Sequence, residues 1–272
     1  MLVCTLGDLT LDVVVRLAAP VATGGDTNAS IHVGPGGQAA NVAAWAAALG
    51  VSARFVGRTG ADDAGDLVRA KLAVLGVEIA GPVSGRNGTI CSLVTPDGER
   101  SMASDRGTAT ELRAEDLEPA CLACDHLHVS GYALMLEPVR SAALRAVDLA
   151  RAEGARVSID LASWSGIRDS GVEGFRDAVR TVAPDVVFAN DEEEREVGAD
   201  LVQALWIVKH GAHGCSFGGD ERTALPVREV LDSTGAGDAL AAGWIVGGPD
   251  LALEAAAQCV QQAGAMPITS RP

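Results

Sequence analysis

The chain has 272 residues, of which 48 % are hydrophobic and 21 % are charged, so it can build a sizeable core. This length fits one large α/β domain with an appendage, or two small domains. Its net charge of −15 argues against a nucleic-acid backbone or an anionic membrane as a partner. No run approaches the ~18 apolar residues of a membrane span and no signal segment opens the chain, so we expect a cytoplasmic protein.

The first part of the chain is predicted to hold strands of two kinds. A strand at about 2–6 ends at Gly7. Four other segments alternate in polarity or carry β-branched residues, and Pro96-Asp97-Gly98 predicts a turn between the last two. These segments lie at about 11–17, 28–33, 89–94 and 100–104. They predict a small separate sheet, inserted at about 10–18, 28–33 and 87–104.

From about residue 114 the sequence alternates regularly between helices and strands. Helices are predicted at about 114–122, 138–153, 172–182, 191–197, 235–247 and 250–263. Strands are predicted at about 126–130, 156–160, 186–189, 205–209, 213–217 and 221–225. This alternation predicts a mostly parallel sheet covered by helices on both faces, in a single domain over 1–272.

The most informative segment spans 232–239, reads DSTGAGDA and precedes an apolar helix. A helix that starts there would aim its unpaired N–H groups and positive dipole end at an anion such as phosphate. Asp238 would lie on the first turn, within reach of whatever the anion reacts with. A helix N-cap followed by a solvated acidic turn fits the same letters, so the pattern alone leaves both interpretations open.

A second glycine cluster spans 34–41, reads GPGGQAAN and leads into an alanine-rich helix that Gly50 ends. Paired glycines let a ligand touch the backbone, and Asn41 offers both donors and an acceptor, which suits a polyhydroxyl compound. The cluster also matches a dinucleotide-binding fingerprint, but the preceding strand is short and Asn41 interrupts the apolar opening of the helix. A Walker phosphate loop is excluded because no Gly-Lys-Ser/Thr occurs.

Cys121, Cys124, His126 and His128 are of residue types that bind zinc. However, no second Cys-x-x-Cys or spaced histidine pair completes such a site, and the alternation over 126–129 indicates a strand. Reduced, mostly buried thiols are the favoured interpretation.

The two glycine clusters resemble the two signatures of the ribokinase-like (PfkB) carbohydrate kinase family. Further motifs of that family occur in order along nearly the whole chain. They are Gly7-x-x-x-x-Asp12, Gly57-x-x-Gly60-x-Asp62-x-x-Gly65, Ser130-Gly131-Tyr132, Asn190-x-x-Glu193 and Lys209-x-Gly211-x-x-Gly214. The resemblance implies a doubly wound α/β core flanked by helices, with a small β-sheet lid that closes over the substrate. It also implies an ATP-dependent kinase that phosphorylates an alcohol group of a sugar or nucleoside, with a primary hydroxyl favoured.

The resemblance assigns the catalytic roles to the segment 232–239. Asp238 matches the general base for the acceptor hydroxyl, and at an ordinary pKa of ~3.9 it would be ionised at neutral pH. Gly235, Ala236 and Gly237 match the anion hole for the γ-phosphoryl group. The positions that match sugar contacts are Asp12, Gly36, Gly37, Asn41 and Glu137, the last of which fits a helix N-terminus equally well.

The resemblance also implies ATP and Mg²⁺ as cofactors. Asn190 and Glu193 match an element that organises magnesium and phosphates through water. The segment that borders the nucleotide contains Lys209, Gly211 and Gly214.

A monovalent cation such as K⁺ lies beside the anion hole in some members of the family, at positions that match Asp232 and Thr234. Ile268 stands where potassium-responsive members often have a polar residue, which leaves activation by potassium open.

The acceptor stays open among ribose, a hexose, a keto-deoxy sugar acid and a nucleoside. Arg106 could contact an anionic sugar beneath the lid, or be an exposed arginine. Because the family often uses its lid for dimerisation, a homodimer through the lid is a further expectation. The alternative function is a non-catalytic sugar- or nucleoside-binding regulatory protein on the same fold.

Overall fold

The computed structural model describes residues 1–97 and 99–268, and its largest feature is a nine-stranded sheet. In spatial order its strands are β13 (Asp220–Arg222), β12 (Cys215–Phe217), β11 (Leu205–Lys209), β10 (Val186–Asn190), β9 (Arg156–Asp160), β8 (His126–Ser130), β1 (Leu2–Leu6), β4 (Ser52–Val56) and β5 (Val77–Ala80). From β11 to β5 neighbouring strands pair in parallel, whereas β12 and β13 are antiparallel. The predicted mostly parallel α/β sheet is confirmed.

Helices cover both faces of this sheet. They are α1 (Gln38–Ala48), α2 (Asp63–Val74), α3 (Tyr132–Met135), α4 (Val139–Ala152), α5 (Trp164–Ser170), α6 (Val172–Val182), α7 (Asp191–Val197), α8 (Ala236–Gly247) and α9 (Pro249–Cys259). Strand side chains alternate between two buried clusters: along β10, Val186 and Phe188 join one cluster and Val187 and Ala189 join the other. A parallel sheet with a core on each face is the doubly wound arrangement that the family resemblance implies.

The helix α1 shows how the sequence positions the candidate active site. Alanine favours helix and leaves little side-chain bulk, and residues 39–46 of α1 are buried throughout. They share a cluster with residues 239–242 of α8. Close packing of these two helices brings their N-terminal ends together.

The predicted small separate sheet is also present. Its strands, in spatial order, are β3 (Ala29–Gly36), β2 (Thr10–Leu17), β6 (Thr89–Val94) and β7 (Arg100–Asp105). The β3 strand extends to Gly36, three residues beyond its predicted end, because it pairs with β2 along its whole length. Of the predicted turn Pro96-Asp97-Gly98, the last residue lies outside the described residues.

Several elements differ from the sequence prediction. The segment 114–122 forms two short 3₁₀ turns, over Ala114–Asp116 and Pro119–Leu122, rather than one helix, because proline lacks the N–H that would continue it. The sequence prediction also lacks β4, α2, β5, α3 and α5. Within residues 1–97 and 99–268, no helix is long and apolar enough to cross a membrane.

Candidate active site

Polar residues gather where the parallel strands end. Asp8 follows β1, Asp160 ends β9, Asn190 ends β10 and Lys209 ends β11. Because the carboxyl ends of parallel strands share one edge of a sheet, these side chains converge there. The start of α8 lies at the same edge, since a Cβ atom built on Gly237 would be 3.3 Å from Lys209 Nζ.

The turn 235–237 has the backbone that an anion hole needs. Gly235 has φ of +80°, in the left-handed region, and a side chain there would come within 2.6 Å of Ala265. The helix α8 begins at Ala236, so the first N–H groups of α8 lack helical partners and its positive dipole end faces the site. These groups can hold the oxygens of a phosphoryl group.

Asp238 lies on the first turn of α8 and accepts a 2.7 Å hydrogen bond from Asn41 Nδ2. Asn41 belongs to the first turn of α1, so the packing of the two helices makes this contact. Burial and then the charge of Asp160 raise the pKa of Asp238 to about 7, although Asn41 and Lys209 oppose the shift. This corrects the expectation of an ordinary carboxylate: near neutrality Asp238 is part protonated and part ionised.

A buried ion pair lies beside Asp238. Lys209 Nζ donates a 2.6 Å hydrogen bond to Asp160 Oδ2, and the Asp160 side chain is 1 % exposed. Burial disfavours a charged lysine, but Asp160 and Glu193 outweigh that effect and hold the pKa of Lys209 above its ordinary value. Lys209 therefore stays cationic beside the turn 235–237.

Asp160 is a residue that the sequence analysis misses. Its signal is a single carboxylate at the end of the strand Arg156–Asp160, whose last four residues are buried. A charged residue that closes a buried parallel strand marks the edge where ligands bind in such sheets.

Asn190 and Glu193 form a reciprocal cap at the start of α7. The Asn190 N and Nδ2 atoms donate to the two Glu193 carboxylate oxygens at 2.9 and 3.0 Å, and Glu193 N donates to Asn190 Oδ1 at 2.8 Å. Glu193 is 3 % exposed, and its burial raises its pKa while the nearby charge of Lys209 opposes the shift. The cap thus fixes a second buried carboxylate next to Lys209 and Asp160.

Three of the predicted acceptor residues, Asp12, Gly36 and Gly37, lie close together where β2 and β3 meet the start of α1. Thr10 Oγ1 donates a 2.8 Å hydrogen bond to Asp12 Oδ1. A Cβ atom on Gly36 would lie 2.0 Å from the Asp12 carboxylate, and Gly37, at φ of +98°, leaves no room for one either. The charge of Asp12 contributes to the raised pKa of Asp238, so the two carboxylates lie close enough to interact.

Arg106 is held at the base of the small sheet. Its Nε and Nη2 atoms donate to the two carboxylate oxygens of Asp8 at 2.6 and 2.8 Å, and its guanidinium stands 5.3 Å from the centre of the Tyr132 ring. Its side chain is 15 % exposed, so the interpretation of Arg106 as an exposed surface arginine is wrong. The Asp8 carboxylate neutralises the charge of Arg106.

Three predicted site residues make local contacts that explain them without a ligand. Glu137 Oε2 accepts hydrogen bonds from Ser141 N at 3.2 Å and Ser141 Oγ at 2.7 Å, at the start of α4. Gly211 has φ of +57° in a 3₁₀ turn after β11. A Cβ atom on Gly214 would lie 1.9 Å from the backbone oxygen of Arg222.

The histidines of the sequence's zinc-like cluster face the interior of the sheet. His126 Nε2 and His128 Nδ1 each lie 2.8 Å from Ser158 Oγ, and burial lowers their pKa values to about 3 and about 4. All six cysteines are free thiols. In the described part of the chain no group of three or more His, Cys, Asp or Glu side chains is arranged to hold a metal ion.

Asp232 and Thr234, the predicted cation residues, lie in the loop before α8. Thr234 N donates a 2.9 Å hydrogen bond to Asp232 Oδ1. Gly264 N donates a 3.2 Å hydrogen bond to Asp232 Oδ2, which ties this loop to the segment 264–268. The two segments therefore lie side by side.

A doubly wound sheet, a small second sheet and a glycine turn that presents a carboxylate together define a small-molecule kinase of the ribokinase-like type. The family model described as pfkB family carbohydrate kinase matches residues 2–271, so the chain belongs to the pfkB family of carbohydrate kinases.

Similar proteins include enzymes with different acceptors. The ATP-dependent ribose-1-phosphate kinase of Halopiger xanaduensis is 33 % identical, with 94 % of this chain and 90 % of that protein covered. Fructokinase-1 of Oryza sativa subsp. japonica is 33 % identical over 75 % of this chain and 71 % of its own. The structure of a probable sugar kinase from Rhizobium etli CFN 42 has a TM-score of 0.86 at 27 % identity, covering 98 % of this chain and 95 % of the other. The chain is accordingly a sugar or nucleoside kinase.

Proposed function

We propose that the protein transfers the γ-phosphoryl group of ATP to a hydroxyl group of a sugar, preferably a primary one. Asp238 is the general base, and Gly235, Ala236 and Gly237 form the anion hole. The observation that carries this proposal is the position of Asp238, one residue beyond the glycine turn and hydrogen-bonded to Asn41. An acceptor hydroxyl beside Asp238 would face a phosphoryl group held in that turn.

In this mechanism Asp238 takes the hydroxyl proton while the new O–P bond forms and the bond to ADP breaks. A pKa of about 7 suits a general base that works near neutral pH. The N–H groups of the turn 235–237 and the Lys209 ammonium stabilise the negative charge on the transferred oxygens. Asp160 keeps the ammonium in place through their 2.6 Å contact.

We propose Mg²⁺ as the ion that accompanies ATP, a nucleotide that the cytoplasm supplies. Asp160, Glu193 and Asp238 surround a single lysine, so the local charge stays negative and favours a divalent cation. Mg²⁺ keeps several of its waters and uses few protein ligands, so the cap of Asn190 and Glu193 would orient its water shell. When bound, the ion neutralises the phosphates. Gly211 and Gly214 would border the nucleotide.

The proposed acceptor is an uncharged sugar of the fructose type rather than ribose 1-phosphate, the two acceptors that the names of the relatives specify. Asp12, Asn41 and the backbone at 36–37 would contact its hydroxyl groups. Asp8 already pairs with the guanidinium of Arg106, and Asp12 adds a further negative charge. A phosphate on the acceptor would meet these carboxylates at a cost in binding free energy.

The small sheet is proposed to close over the acceptor and to join a second copy of the chain. Strand alternation places Val13 and Val15 on the face of the small sheet opposite Asp12. Val33 and Ile31 lie on the same face, because they pair with Val13 and Val15. Ile31 is 62 % exposed and Val33 39 %. An apolar patch of this kind favours a symmetric homodimer, so Val33→Asp should lower the mass found by sedimentation. A monomeric natural chain would contradict this.

The proposed activity is tested by ADP release with fructose, ribose, ribose 1-phosphate and adenosine, each with ATP and Mg²⁺. Fructose should be turned over fastest. Asp238→Asn should lower kcat by ~10²–10⁴-fold while calorimetry shows sugar binding retained. Tight sugar binding without turnover would instead favour the non-catalytic binding protein. A higher kcat/KM for ribose 1-phosphate would overturn the uncharged acceptor alone.

A further inference from the structure

Arg16, on β2 of the small sheet, reaches the loop that precedes the anion hole. Its Nη2 atom lies 3.2 Å from Asp232 Oδ2, and the Asp232 side chain is 10 % exposed. Partial burial opposes ionisation of Asp232, but hydrogen bonds from Thr234 and Gly264 and the charge of Arg16 outweigh it and lower its pKa. A guanidinium thus already supplies the positive charge that this carboxylate attracts.

Backbone oxygens around the same loop also accept hydrogen bonds from side chains. Three side chains buried in the core donate hydrogen bonds to them. The pairs are Trp45 Nε1 with the oxygen of Ala265 at 2.9 Å, Gln262 Nε2 with that of Met266 at 2.7 Å and Cys259 Sγ with that of Thr234 at 3.5 Å. Buried N–H and S–H groups therefore point at the backbone oxygens of the loop before α8 and of the neighbouring segment 264–268.

A monovalent cation needs several oxygens that point at one position and replace its hydration shell. Around Asp232 those oxygens face hydrogen-bond donors instead, and Arg16 would repel a second positive charge placed beside it. The residues present therefore do not fit the K⁺ ion that the family resemblance implies at Asp232 and Thr234.

We propose that Arg16 substitutes for the monovalent cation, so that phosphoryl transfer by this chain does not require potassium. Arg16 holds Asp232, and with it the turn that leads into Gly235, in the position that shapes the anion hole. It is a positioning residue, because it acts through Asp232 and not on the reacting atoms. The inference rests on the proposed function, which assigns the anion hole.

The test compares potassium chloride with choline chloride at equal ionic strength, using fructose, ATP and Mg²⁺. Arg16→Gln removes the charge, Arg16→Lys keeps it, and Arg222→Gln is a control that removes another partly exposed arginine, paired with Asp250 at 2.9 Å. The natural chain, Arg16→Lys and the control should give equal rates in the two salts. Arg16→Gln should be ~10-fold slower in choline chloride and recover in potassium chloride.

A second measurement needs no turnover. The thermal unfolding midpoint of Arg16→Gln should rise in potassium chloride relative to choline chloride, because an ion that binds only the folded state stabilises it, whereas that of the natural chain should not. A natural chain whose rate or midpoint responds to potassium overturns the inference, and so does an Arg16→Gln loss that potassium does not restore. Should no acceptor be phosphorylated, the proposed function fails, and the midpoints still decide this inference.

Discussion

The Lys209 ammonium and the Asp160 carboxylate meet at 2.6 Å across the end of β10, beneath the glycine turn that starts α8. Their strands, β11 and β9, flank β10 in the sheet, so the parallel register brings the two side chains together. Removing one member of a buried pair leaves an uncompensated charge, at a cost of about 3–5 kcal/mol in stability. Experiments on variants of this pair therefore have to distinguish a loss of stability from a loss of catalysis.

Lys209→Met should lower kcat by ~10²–10³-fold, because the proposed mechanism uses this cation to stabilise the transferred phosphoryl group. The double variant Lys209→Met/Asp160→Asn removes both charges and should regain thermal stability without regaining kcat. Lys71→Met is the matched control, since Lys71 donates only to the backbone oxygen of Val33 in the contacts described for it. Recovery of kcat in the double variant would reduce Lys209 to a structural role.

The pH dependence of kcat/KM should report Asp238. The base acts as a carboxylate, so kcat/KM should rise about tenfold per pH unit below a midpoint of about 7 and level off above it. Asp160 raises this pKa and Lys209 lowers it. Asp160→Asn should therefore move the midpoint to lower pH and Lys209→Met should move it to higher pH. A midpoint that neither variant moves would belong to another group.

Variants of Asn41 and Asp12 should shift the pH midpoint of kcat/KM in opposite directions. Each replacement by Ala removes the hydrogen bonds proposed to hold the acceptor. It should therefore weaken acceptor binding by ~1–3 kcal/mol, measured by calorimetry, with ATP binding little changed. Asn41→Ala also removes the bond that favours ionised Asp238, so the pH midpoint should rise. Asp12→Ala removes a negative neighbour, so the midpoint should fall. Equal losses in ATP binding would contradict the acceptor assignment.

Sequence patterns predict the elements whose signal is local. The strands β8 and β9 are predicted to the residue because polar and apolar residues alternate along each of them. The helix α6 is predicted to the residue because its amphipathic period is strong. The helix α2 is missed because only three of its residues, Gly65, Val68 and Leu72, are buried, which leaves a weak apolar face.

The candidate site is predictable only where one segment carries it. The turn at 235–238 and the cap of Asn190 and Glu193 are such segments. By contrast, the contact between Lys209 and Asp160 depends on strand register, and the raised pKa of Asp238 depends on burial by distant elements. No spacing in the sequence encodes either property.

Magnesium dependence tests the cap at the start of α7. A chain of net charge −15 must bind a polyanionic nucleotide, so activity should require a divalent cation and disappear in EDTA. Glu193→Gln keeps the shape of the side chain and removes its charge.

This variant should raise the Mg²⁺ concentration for half-maximal rate by ~10–100-fold, since Glu193 would orient the waters around the ion. Glu192→Gln is the control, because Glu192 lies on the same turn with 53 % of its side chain exposed and should leave the Mg²⁺ requirement unchanged. Full activity in EDTA would refute the need for a metal ion. An unaltered Mg²⁺ requirement in Glu193→Gln would refute only the role of Glu193, and would leave its contacts with Asn190 as a helix cap.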